Sequence, residues 1–97
     1  MKLWLITQSE TLGYDTYDSA VVAALDEDAA RRISPCGFRE WDDERGAWMF
    51  RFSDGTKRPE ENHHSWAQHI DNVSVECIGE ATDKIKAGLI LASFNAG

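Results

Sequence analysis

The sequence predicts an α+β fold: a single mostly antiparallel sheet of about five to six strands with one short helix packed on one face. Three observations carry that expectation. Runs rich in β-formers recur at 2–8, 16–24, 72–78 and 89–94, with a further hairpin between them. Only one segment, 26–33, has apolar residues at helical spacing. The loop between the first two runs is too short for a parallel crossover, which needs about a dozen residues or more. At 97 residues the chain is expected to form one domain, 1–97, since domains run to ~100–150 residues.

Lys2-Leu3-Trp4-Leu5-Ile6-Thr7-Gln8 reads as a first strand, and Ser9 to Asp15, which contains Gly13, as a loop. Thr16 to Ala24 then returns as an antiparallel second strand. Asp26 suits a helix N-cap, with Glu27 and Asp28 in the first turn. Ala29, Ala30 and Ile33 make a narrow apolar stripe, Arg31 and Arg32 suit the last turn, and Ser34-Pro35-Cys36-Gly37 stops the helix. So short a helix must pack on the sheet to persist.

Phe38-Arg39-Glu40-Trp41 and Ala47-Trp48-Met49-Phe50-Arg51-Phe52 flank Asp42-Asp43-Glu44-Arg45-Gly46, the pattern of a hairpin with a glycine-containing turn. A period of two puts Trp48, Phe50 and Phe52 on one face. Ser53-Asp54-Gly55-Thr56 reads as a turn and 57–62 as a polar connection. The alternation at 72–78 turns Val73, Val75 and Cys77 inward. One helix covers only part of such a sheet, so a second subunit or a partner is expected over the remainder; a homodimer is the simplest form.

Ten Lys and Arg against 17 Asp and Glu give a formal charge of -7. Direct nucleic-acid binding is disfavoured, because its affinity comes from neutralising phosphates. No apolar run approaches the ~18 residues of a membrane span, and the N-terminal apolar stretch is too short for a secretory signal, so a cytoplasmic protein is expected. The acids cluster at Asp26 to Asp28, at Glu40, Asp42, Asp43 and Glu44, and at Glu60 and Glu61. Such clusters either solvate loops or steer a basic partner.

Four tryptophans are many for this length. Trp4 suits the core, and Trp41 and Trp48 flank the acidic turn. An aromatic hairpin with an acidic tip resembles a protein-binding hot spot, so Glu40, Trp41, Asp42, Asp43, Glu44 and Trp48 are the expected partner-binding residues. Tyr14, Asp15, Tyr17, Asp18 and Ser19 form a polar aromatic loop, the alternative ligand-binding set. An anionic ligand there requires Arg31, Arg32, Arg39 and Arg51 to converge. His63, His64 and His69 fit no metal-ligand spacing and read as loop histidines, so no metal or cofactor is expected. Cys77 reads as a small buried hydrophobe and Cys36 as an exposed thiol past the helix end. No phosphate loop, nucleophile elbow or zinc-protease signature occurs, and no catalytic residues are assigned.

Gly13-Tyr14-Asp15-Thr16-Tyr17-Asp18-Ser19-Ala20-Val21-Val22 with the Ala29-Ala30-Arg31 helix, and Ile78-Gly79-Glu80-Ala81 with Gly88-Leu89-Ile90-Leu91-Ala92-Ser93-Phe94-Asn95-Ala96-Gly97, resemble small phage- and prophage-encoded proteins of mostly unassigned function. The resemblance covers roughly 1–35 and 66–97 and makes 37–62 a variable hairpin or insert. It implies a phage accessory protein. By analogy with anti-CRISPR proteins, the expected role is non-enzymatic: binding and inhibiting a host protein with a basic surface, such as a defence complex, in the bacterial cytoplasm. Sequestration of a signalling nucleotide is the alternative, with a metal-dependent enzyme behind it.

Overall fold

The computed structural model describes residues 1–59 and 65–95. Strands β1 (Lys2–Thr7) and β2 (Thr16–Ala24) precede helix α1 (Glu27–Arg31). Strands β3 (Arg39–Asp42), β4 (Ala47–Arg51) and β5 (Lys57–Pro59) follow, then a 3-10 turn at Ile70–Asn72 and strands β6 (Ser74–Glu80) and β7 (Gly88–Asn95). They form two antiparallel sheets, one of four strands in the order β6-β1-β2-β7 and one of three in the order β3-β4-β5.

In the larger sheet Ile6 lies opposite Ala20 and Trp4 opposite Val22. The period of two therefore gathers Trp4, Ile6, Ala20, Val22 and Ala24 on one face, where Ala30 of α1 and Trp66, Ala67, Ile70 and Val73 pack against them. Ile6 and Val22 are wholly buried. Asp26 caps α1 as its sequence position predicts, its carboxylate accepting the Ala29 N–H at 2.8 Å. The helix ends at Arg31, two residues before the expected limit, with Arg32 as its C-cap and Ile33 turned against the core.

The single sheet expected from the sequence is thus two. Both edges of the β1–β2 hairpin are occupied, by β6 on one side and β7 on the other. No edge of that hairpin remains for β3 and β4, which add β5 and pack through side chains instead. The smaller sheet lies entirely within 37–62, the stretch read as an insert. Lys57–Pro59, expected as a polar connection, is an edge strand, a position that tolerates charge and proline.

The cysteines exchange their expected environments. Cys36 is buried, with Sγ 2.8 Å from Ser65 Oγ. Cys77 is exposed although Val73 is buried and Val75 half-buried. It keeps the register of Val75 and sits opposite Trp4 on an edge strand, just before the register shift between Leu3 and Trp4. Among the described residues no helix is long and apolar enough to cross a membrane.

Because Ile6 is at 0% exposure among rigid strand neighbours, Ile6→Ala is expected to destabilise the fold by about 2–5 kcal/mol through lost transfer energy and a residual cavity. Chemical denaturation checks this, with an unchanged midpoint as the contrary result.

Candidate functional site

The hairpin of β3 and β4 is fixed at its tip by its own polar groups. Asp42 Oδ1 accepts the backbone N–H groups of Glu44 at 2.9 Å and Arg45 at 3.2 Å. Gly46, at φ 62°, donates its N–H to the Asp42 carbonyl at 2.8 Å. A side chain at Gly46 would strain this left-handed turn. Behind the tip the residues from Glu40 to Glu44, with Met49 and Lys57, line an open depression of about 310 Å³. Five of the six expected partner-binding residues are therefore neighbours around one concavity.

The sixth is not on the surface. Trp48 is 4% exposed and belongs to the core shared with Ile6, Val22 and Ala30. Its indole N–H donates to the Ala67 carbonyl at 2.9 Å. A residue so placed supports a binding surface from behind and cannot be an anchor in a partner's pocket. Trp41 faces Trp48 across the strand pair, with edge-on rings at 5.3 Å. Its other ring neighbour is His69 at 5.0 Å, and its N–H donates to Asp43 Oδ1 at 3.0 Å. Trp41 is half-buried and held in one orientation, as a recognition side chain should be. Trp4 donates to the Ala24 carbonyl, and the buried Trp66 N–H has no partner among the described residues.

Electrostatically the site is more balanced than its sequence implies. Asp43 receives Arg32 through Nε at 3.1 Å and Nη2 at 3.0 Å, a clasp between the end of α1 and the hairpin. Glu40 meets both Arg51 and Lys57, and Asp42 meets Arg45 at 3.6 Å. Among the described residues only Glu44 of the four hairpin carboxylates has no ion-pair partner. Hydrogen bonding from Arg32, helped by the Trp41 N–H, holds the Asp43 carboxyl below its usual range, and the same contact raises Arg32.

The alternative set is divided between two places. Asp15, at φ 60°, and Tyr17 line a cavity of about 330 Å³ with Cys36, Arg39, Ser65 and Phe94, the Tyr17 and Phe94 rings lying 4.7 Å apart. Tyr14 is exposed and does not line that cavity. Asp18 accepts the Ser19 hydroxyl, and Ser19 borders a different depression with Leu5, Val21 and Leu91. The four arginines do not converge: Arg31 lies on Glu27 and Asp28, Arg32 on Asp43, Arg51 on Glu40, and Arg39 over the Phe50 ring at 4.6 Å.

His63 and His64, like Glu60 and Glu61, lie outside the described residues. His69 caps the 3-10 turn, its Nδ1 accepting the Asp71 N–H at 3.0 Å. The Asp71 carboxylate also approaches that nitrogen, to 3.4 Å. Among the described residues no group of three His, Cys, Asp or Glu side chains is arranged to hold a metal ion.

Sequence reasoning missed Arg32 and Lys57 as constituents of the site. Arg32 carried a signal, since it ends a helix that an acidic hairpin follows within eleven residues, but only the packing shows which acid it meets. Compared with protein-family models, curated proteins and solved structures, the chain matches none.

Asp43, with its pKa depressed in the fold, stabilises the fold fully above the ordinary aspartate range, and that contribution disappears as pH falls through the depressed value. Asp43→Asn is accordingly expected to melt a little below the parent at neutral pH, with the difference closing in strong acid. Thermal melts of both proteins across the acid range check this, and a gap independent of pH would separate Asp43 from the Arg32 clasp.

Proposed function

We propose that this protein is a non-enzymatic binding protein that engages a basic protein partner through the concave hairpin surface at Glu40 to Glu44. The observation that carries the reading is the assembly of Trp41 and four carboxylates around one depression on a hairpin stiffened from within. A preformed surface loses little conformational freedom on association, and a fixed half-buried indole is a suitable centre for recognition. Glu44 supplies an unmatched negative charge there. A partner's Lys or Arg can also compete for Glu40 and Asp42, whose present cations are on exposed side chains.

A partner in a bacterial host is what the resemblance to phage-encoded proteins implies, and inhibition of a defence complex is the proposed biological role. Its support is the sequence likeness and the net charge of -7, which favours fast, salt-sensitive association with a basic groove.

Affinity purification from host lysate tests this when the parent and Glu44→Lys are run side by side. Basic proteins should co-elute with the parent, be released by salt, and bind the variant about tenfold or more weakly. Identical protein sets on both columns, or none on either at low salt, would remove the hairpin from the account. Glu44 is the right position because its replacement breaks no ion pair among the described residues.

A second reading is favoured by the cavity at Asp15 and Tyr17. A small ligand with a flat ring fits between the Tyr17–Phe94 pair and the Arg39 side of that space. Mass spectrometry of material released on denaturing the purified protein checks it: a stoichiometric small molecule is the expected result, and a clean supernatant is the contrary one.

A further inference from the structure

The four outer strands of the two sheets are protected unequally. Edge strand β3 carries Arg39, Glu40 and Asp42; β5 carries Lys57, Arg58 and Pro59; β6 carries Glu76 and Glu80. Charge and proline at such positions discourage pairing with another chain. Strand β7, Gly88-Leu89-Ile90-Leu91-Ala92-Ser93-Phe94-Asn95, is the exception, with neither a charge nor a proline in eight residues. Its one sheet neighbour among the described residues is β2, so its far side presents an open row of backbone donors and acceptors. Leu89, Ile90, Leu91 and Phe94 are all exposed, Leu91 to 67%.

We infer that β7 is a self-association edge: two copies of this chain pair β7 with β7, antiparallel about a two-fold axis, joining two four-stranded sheets into one of eight. Charge singles out β7 as the edge at which two copies can meet. A molecule carrying -7 repels itself, and pairing β6 with β6 or β3 with β3 would bring carboxylates of the two copies close together. The β7 seam places no charge against charge, whereas a basic partner would find no carboxylate on this strand to meet. An antiparallel strand paired with itself also satisfies the same groups on both copies, the requirement of a closed two-fold interface.

The side chains supply the apolar contribution. Leu5 and Leu91 both lie opposite Val21, forming a row across β1, β2 and β7 on the face away from the core. The shallow depression along that row, about 300 Å³, runs from Leu5 to Leu91 and Ser93. A strand of eight residues spans about 27 Å, so a seam of one strand per copy lies at the small end of specific interfaces and dissociates on dilution. The inference is independent of the hairpin reading, because β7 contributes nothing to the Glu40–Glu44 depression.

Sedimentation velocity over several decades of protein concentration, with amide hydrogen exchange at each end of the range, tests it. The parent should pass from monomer to dimer, with amides of β7 gaining protection as the dimer forms. Leu91→Lys, at a position already open to water, should keep the native circular dichroism and weaken the dimer at least about tenfold. Ile90→Lys repeats the test on a neighbouring side chain should Leu91→Lys fail to fold. A parent that stays monomeric throughout overturns the inference, as does a dimer that persists unchanged in the folded lysine variants.

Discussion

The burial of Trp48 holds the two sheets together. Its ring lies in the same apolar cluster as Ile6 and Val22 of the large sheet, and its N–H is satisfied by the Ala67 carbonyl. One side chain of the small sheet thus answers to the large sheet and to the segment before the 3-10 turn at once. Trp41 stacks edge-on against it and reaches Asp43, which in turn grips Arg32 at the end of the helix. The geometry of the candidate surface therefore descends from a core contact. Large buried aromatics suit that task because they remove much apolar area from water while their single polar atom dictates an orientation.

The ion pairs around the hairpin change what its acidity means. A sequence count sees four carboxylates within five positions; the fold answers three of them with cations from the C-cap of α1, β4, β5 and the turn itself. The field at the depression is accordingly short-ranged, set by Glu44 and by how readily exposed cations yield. For the binding role proposed above, shape and the fixed indole are better suited to recognition than steering from a distance, to which the net charge of the whole molecule would contribute.

Much of the fold was legible because local chemistry and global packing agree. The cap at Asp26, the antiparallel return of β2 and the glycine turn at Gly46 all follow from spacing and residue type, whereas the alternation expected in β4 does not appear, since neighbouring Trp48 and Met49 are both buried. What was not legible depends on partners distant in sequence. Nothing local says that β6 and β7 take both sides of the β1–β2 hairpin, or that β3, β4 and β5 pair among themselves rather than extend that sheet. Trp48 and Trp41 look alike in sequence, each one strand position from the turn region, yet one is core and the other rim. The environments of Cys36 and Cys77 are illegible for the same reason: burial is decided by what arrives from elsewhere, and Ser65 arrives at Cys36 while Cys77 stays exposed on its edge strand.

The placement of β2 has a kinetic side. Its first neighbour, β1, is adjacent along the chain, but its second, β7, arrives from the far end of the described residues. Closing so long a loop is entropically expensive and slow, whereas the β3–β4 hairpin needs only its own turn. Until β7 docks, the run Val21-Val22-Ala23-Ala24 is paired with β1 alone and keeps one edge open to any extended chain it meets. The interior of the sheet is thus the part of this molecule most exposed to misassembly before folding completes.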